Sequence, residues 1–194
     1  SYICQSFQVH RLDRVVSGCV CVGKSSKATK RLSDMFRNRR NVEKRYFACV
    51  RGIPEEEIQK KITHRLVPGK GRRGLTGTSS DLNAREAVLT YEPVRSIVIH
   101  DKMRSQPCTL LDIHLVTGIK HQIRAQLASV NLPIINDTRY DDSVTQRRSK
   151  YGIIALHAYY LSFEHPVRGN SPVQASCEIP WDAWEEQLGL FRAA

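Results

Sequence analysis

The stretch "HRLDR", His10 to Arg14, sets one carboxylate among an imidazole and two guanidinium groups. Asp13 in that setting is either half of a structural ion pair or a working group. An aspartate is a weak nucleophile, so as a working group it must be ionised and well placed. Nearby cations favour the charged form and oppose the desolvation that a cleft imposes. Two further stretches hold side chains of comparable interest. "EKRYFACVRG" carries a phenol, Tyr46, and "TGIKHQIRAQLASVN" carries Lys120, His121 and Arg124. The ordinary fates of such residues are a tyrosine in a core strand and a solvated basic helix face.

These side chains must be positioned by regular elements. "KRYFACVRG" alternates as a strand, with Tyr46, Ala48 and Val50 on one face and Phe47 and Cys49 on the other. "TGIKHQIRAQLASVN" reads as a helix entered through Thr117 and Gly118, with Ile123, Leu127 and Val130 as its apolar stripe. Arg124 lies about 100° round the helix from Ile123, at the edge of that stripe, where it can reach into a cleft. "CVCVGKSS" reads as a strand running into a turn. "SSKATKRLSDMFRNRR" follows as a helix capped by Ser25 or Ser26, with Ala28, Leu32, Met35 and Phe36 as its stripe. Lys27, Lys30 and Arg31 decorate the rest of that helix. "VPGKGRRGLTGTSS" lacks the spacing of a phosphate-binding loop and reads as a solvated surface loop. Strands are expected at "EAVLTYEPV", "RSIVIH", "TLLDIHLV", "IIALHAYYLSF" and "PVQASCEI", and a short helix at "DAWEEQLG". Strands outnumber helices and come in successive pairs, which indicates an α+β fold.

The 194 residues suit a single domain over 1–194. Net charge is +11, and its distribution is uneven. Residues 1–80 carry 18 Lys/Arg against 6 Asp/Glu, whereas residues 81–194 carry 12 against 13. An excess confined to one part of the chain points to a polyanionic partner, most simply nucleic acid. No apolar run has a membrane-spanning length, so no membrane partner is expected. None of the six cysteines forms a C-x-x-C pair and the seven histidines are scattered, so no metal is expected. Cys19, Cys21 and Cys49 sit in apolar runs and read as small buried hydrophobes, which favours a reducing, intracellular compartment.

Four segments in order resemble the RluA-type family of RNA pseudouridine synthases. "HRLDRVVSG" is similar to its H-R-L-D-x-x-T-S-G segment, and "EKRYFACVRG" to its K-x-Y-x-A-x-V-x-G strand. "LVTGIKHQIRAQLASVNLPIINDTRYD" is similar to the L-x-T-G-R-T-H-Q-I-R helix with its P-I-x-G-D-x-x-Y continuation. "ALHAYYLSFEHP" resembles the late L-H-A-x-x-L-x-F-x-H-P strand. Together they span residues 9–166. The resemblance implies a mostly antiparallel mixed sheet with flanking helices and a central active-site cleft. It implies isomerisation of uridine to pseudouridine in structured RNA, rRNA or tRNA, without cofactor or metal.

By the same resemblance, Asp13 is the carboxylate that attacks the target nucleotide and Arg124 the arginine that pairs with it. Tyr46 packs against the target base. Arg11 fills the gap left by the flipped nucleotide. His10 is structural, His121 lies near the substrate, and Lys120 touches phosphate. Lys27, Lys30 and Arg31 are the expected contacts to the RNA backbone. Several positions depart from the family pattern. Val16 replaces Thr, and Ile119 and Lys120 replace Arg-Thr. Asn131 and Asn136 replace Gly, a tolerable exchange at left-handed positions. A front strand with an N-K-P-x-G segment has no counterpart before Val9 and is expected to be reduced or missing, leaving a sheet edge for a ribosome-assembly partner or a further segment to complete. The opening Ser1 fits a processed mitochondrial protein ahead of a nuclear or cytosolic one. The alternative to an enzyme is a catalytically silent RNA-binding or ribosome-assembly factor on the same fold. Retention of Asp13, Tyr46 and Arg124 together favours the enzyme.

Overall fold

The structure, a computed structural model, describes residues 6–55, 58–67, 82–100, 105–141 and 152–190. Cys4 and most of the glycine-rich stretch after Val67 lie outside the described residues. In chain order the elements are β1 (Phe7–Gln8), β2 (Ser17–Gly18), β3 (Val22–Gly23), α1 (Ser26–Asn38), β4 (Val42–Arg51), β5 (Lys60–Leu66), β6 (Arg85–His100), β7 (Ser105–Leu115), α2 (Gln122–Ser129), β8 (Leu156–Phe163), β9 (Val173–Ser176) and α3 (Trp181–Leu188). Seven strands form one sheet in the order β2-β8-β4-β7-β6-β5, with β9 on β8. Only the β2–β8 pair is parallel, so the sheet is mixed and mostly antiparallel, as expected. β1 and β3 form a separate two-stranded ribbon.

The centre of the sheet is apolar on both faces. Ala48, Cys49, Val50, Leu89, Leu111 and Ile113 are all buried in one cluster that also takes in Trp184 of α3. Cys21 is buried, whereas Cys19 is half-buried and shares a sulfur hydrogen bond with Cys177 at 3.2 Å. β6 runs unbroken for 16 residues through Pro93, where the sequence suggests two strands. Proline cannot donate to the ladder, and the register against β7 shifts between Pro93 and Arg95 to absorb it. α1 begins at the expected cap: Ser25 Oγ accepts from Ala28 N at 3.2 Å. Its Leu32 packs with Cys21, Leu161 and Phe163 in a second, smaller cluster.

α2 is shorter than its sequence pattern. Thr117 and Gly118 do not enter a helix. The backbone first makes a loop stitched to β6, in which Thr117 Oγ1 accepts from Val88 N at 2.7 Å and donates to Gln122 Oε1 at 2.8 Å. The helix then starts from His121, which stands in the left-handed region at φ 61°. Every residue from Gln122 to Leu127 is buried. Gln122 and Gln126 share one face, and both amides donate to strand carbonyls: Gln122 to Val88, Gln126 to Ala87 and Ile62. Arg124 is about 200° from each, so it points away from β5 and β6. The two glutamines fix the rotation of the helix and thereby aim the arginine.

Candidate active site

Asp13 occupies the first position of a tight turn closed by Val16 N donating to Asp13 O at 3.0 Å. The short strand β2 follows at once and seats the turn against β8. That seat requires Gly18. Its φ is +126°, and a Cβ there would stand 2.3 Å from Ala158 O. Opposite, the β4–β8 register slips where the two steps from Arg45 to Phe47 face the three from Tyr160 to His157. This irregularity lies at Tyr46, and it re-aims side chains at the place where β2, β8 and β4 meet.

The carboxylate of Asp13 receives Arg124 Nη1 at 3.2 Å on Oδ2. Arg124 is itself held by a second acid. Its Nε and Nη2 donate to Asp137 Oδ2 and Oδ1 at 2.7 and 2.8 Å, a bidentate fork. Its guanidinium also lies over the Tyr140 ring, 5.2 Å from the centroid. Burial opposes the charge of Arg124, but the bonds and charge of Asp137, and then of Asp13, outweigh it and raise its pKa. His121 Nε2 stands 3.6 Å from Asp13 Oδ1, beyond hydrogen-bond range, while its Nδ1 meets Tyr140 Oη at 3.1 Å. Burial lowers the pKa of His121. Arg124, Arg139 and Lys120 add to that, and Asp13 works against it. The Tyr46 hydroxyl is pushed well above its usual range, by burial first and by the Asp13 charge second, so it stays a neutral phenol.

These groups surround a cavity of about 360 Å³. That lies within the range of small-molecule sites, roughly 300–1,000 Å³. Val16, Leu115, Ile123 and Leu156 give it apolar walls, and Asp13, Lys120, His121 and Arg124 line it as well. One carboxylate oxygen is thus tied to Arg124, while the other carries no hydrogen bond among the described residues and lies on the His121 side. A carboxylate so placed can attack an electrophilic carbon or take a proton from a flat, partly apolar guest.

Of the residues singled out in the sequence, the cavity gathers Asp13, Tyr46, Arg124, Arg11, Lys120 and His121. Arg11 and Arg14 make no hydrogen bond or ion pair with Asp13, so the anchoring cation is Arg124, distant in sequence, and not the adjacent arginines. His10 has a structural bond: its Nε2 accepts from Cys21 N at 3.0 Å, and its ring stacks on Phe36. Lys27, Lys30 and Arg31 are exposed on α1 and do not line this cavity, and Arg31 Nη1 donates to Pro166 O at 3.0 Å. Asn131 and Asn136 adopt φ of 61° and 65°, the left-handed conformation expected of glycine substitutes. The sequence reading passed over Asp137 and Tyr140. The signal for both was their place in "PIINDTRYD", directly after the arginine helix. Among the described residues no three His, Cys, Asp or Glu side chains converge as metal ligands, and no helix is long and apolar enough to cross a membrane.

Comparison with known proteins gives a consistent picture. The family model described as RNA pseudouridylate synthase matches residues 4–129. The tRNA pseudouridine synthase C of Vibrio parahaemolyticus is 31% identical over 94% of this chain and 78% of its own length. That of Salmonella typhimurium is 32% identical over 94% and 72%. The solved structure of human RNA pseudouridylate synthase domain containing 1 superposes with a TM-score of 0.78 at 22% identity, covering 96% of this chain and 75% of that one, which shows a shared fold.

Proposed function

This chain belongs to the RNA pseudouridylate synthase family, and from that premise we propose which residues carry its reaction and which RNA it takes. It is an RNA pseudouridine synthase: it breaks the bond between uracil N1 and the ribose and rejoins the ribose to C5, C5 losing its proton and N1 gaining one. Asp13 is the nucleophile. The observation that carries this assignment is its carboxylate on the lining of an apolar-walled cavity, with one oxygen tied to Arg124 and the other without a hydrogen bond among the described residues. Arg124 holds the carboxylate in place, and Tyr46 gives the uracil ring a surface to pack on. A cavity of this size takes one nucleotide and not a duplex, so the uridine leaves its stack to enter.

The substrate is a tRNA. The support is that the Vibrio and Salmonella relatives, which match nearly the whole chain, are tRNA pseudouridine synthases by name. The test incubates wild-type protein and Asp13→Ala with unmodified tRNA transcripts and with total RNA from a strain lacking the protein, then maps pseudouridines. New sites in tRNA with the wild type and none with Asp13→Ala are expected. Sites in rRNA alone would reassign the substrate. Sites formed by Asp13→Ala would remove Asp13 from the chemistry. RNA binding by the wild type without any new site would favour a silent binding factor.

A further inference from the structure

A second cavity, of about 230 Å³, lies beside the active-site cavity. Lys44, Leu115 and Gly118 line both. The second cavity carries four cations, Arg37, Arg39, Lys44 and Arg85, and no carboxylate. The four come from the end of α1, from β4 and from the start of β6, so the fold assembles the cluster from three separate elements. Among the described residues, Arg39 and Arg85 have no acidic partner. Arg37 makes only an exposed contact to Asp34 at 3.4 Å. The Lys44 ammonium lies 4.9 Å from the centre of the Phe36 ring.

We infer that this cavity is a phosphate subsite, holding the RNA backbone next to the nucleotide whose uracil enters the active site. The inference rests on the reading of the protein as an RNA pseudouridine synthase. Like charges converging without a counter-ion repel one another, and an anionic ligand relieves that repulsion. The repulsion is visible at Lys44, whose pKa is lowered by burial first and by Arg39 second. The walls shared with the active-site cavity favour a phosphodiester strand over a free anion: the charge sits beside the cavity that would take the flipped nucleotide, within reach of the phosphates flanking it. Lys27 and Lys30, by contrast, line neither cavity.

The test variant is Arg39→Asn with Arg85→Gln. Arg39 has φ 55°, a conformation asparagine accepts, and both side chains are exposed, so the fold should be kept. The affinity of a fluorescein-labelled, unmodified tRNA transcript is measured between about 50 and 200 mM KCl. Each lost phosphate contact removes about 0.7–0.9 from the slope of log affinity against log salt. The double variant should therefore show a slope shallower by about 1.5, or an affinity about eightfold less sensitive across that range. Lys61→Gln with Arg168→Gln, two exposed cations lining neither cavity, removes the same net charge. A slope as steep as wild type, or the same change in this control, overturns the subsite. Inorganic phosphate at constant ionic strength is the third arm. If it raises the Tm of wild type and not of the double variant while their RNA salt slopes are equal, the site is one for the free ion and the inference fails. Pseudouridine formation is scored on the same RNA. Its absence in wild type, with the slope change present, would fault the reading of the reaction and leave the subsite standing.

Discussion

Asp137→Ala and Asp13→Ala should separate the group that holds the site from the group that reacts. Each aspartate bonds to Arg124, but the environments differ. The Asp137 side chain is 1% exposed and takes two short bonds from a guanidinium that is itself 8% exposed. Removing it leaves a buried cation with a single long contact. Stripping one partner from a buried pair costs roughly 3–5 kcal/mol. For a chain of this size that lowers Tm by about 6–20 °C. The Asp13 side chain is 22% exposed and takes one bond at 3.2 Å, and its loss leaves the Arg124–Asp137 fork intact. Its removal should cost about 1 kcal/mol or less. Calorimetric melts of both variants, paired with pseudouridine mapping, make the comparison. Asp13→Ala should melt near wild type and form no product. Asp137→Ala should melt far lower and, below its Tm, turn over poorly because Arg124 is no longer aimed. Equal losses of Tm in the two variants would refute the division of labour, as would an Asp137→Ala protein that melts within a degree or two of wild type.

Gly18→Ala should cost at least about 2 kcal/mol, since a Cβ at φ +126° would strike Ala158 backbone, and it should unseat the Asp13 turn and reduce activity with it. A melt indistinguishable from wild type would show that β2 can shift without harm. His10 supplies the acid-side prediction. Burial and then Lys44 push its pKa from 6.5 to about 4, so the folded ring refuses a proton that the unfolded chain accepts. Stability should therefore be full above pH 6.5 and decline as pH falls from 6.5 towards 4, by about 1 kcal/mol per pH unit at most after allowing for its partial exposure. His10→Gln keeps an acceptor for Cys21 N without titrating and should melt with a shallower acid slope. An unchanged slope would locate the effect in His64, His121 and His157, which shift the same way.

The parts of this molecule legible in the sequence were those governed by local rules. The Ser25 cap, the α1 stripe and the alternation of β4 follow from spacing alone, and the structure keeps them. The left-handed turns at Asn131 and Asn136 were legible because few residue types tolerate that backbone. What was lost depended on distant contacts. The helical pattern from Thr117 was overridden because the Thr117 hydroxyl is worth more bridging Val88 and Gln122 than in a first helical turn. β6 read as two strands meeting at Val94 and Arg95 because the register shift against β7 that carries it past Pro93 leaves no mark in β6 itself. Asp13 was legible locally as a group needing a cation, and its flanking arginines were the near candidates; the resemblance named Arg124 instead, and the sheet brings that arginine to it across 111 residues. Asp137 was missed because its importance lies wholly in what it does to Arg124.

That separation has a consequence for when the site comes into being. Closing a loop grows costlier with length, and bringing Asp13 to Arg124 costs about 2 kcal/mol more chain entropy than bringing Asp137, 13 residues away. The arginine fork is thus a near-local event, while the carboxylate is a late arrival. Its seat, β2, pairs among the described residues with β8, whose residues 156–163 come far later in the chain. During synthesis Asp13 therefore emerges well before the strand that seats it. A chain still tethered amid ribosomal RNA carries its aspartate unarmed, and the geometry of the site appears only when β2 has docked on β8.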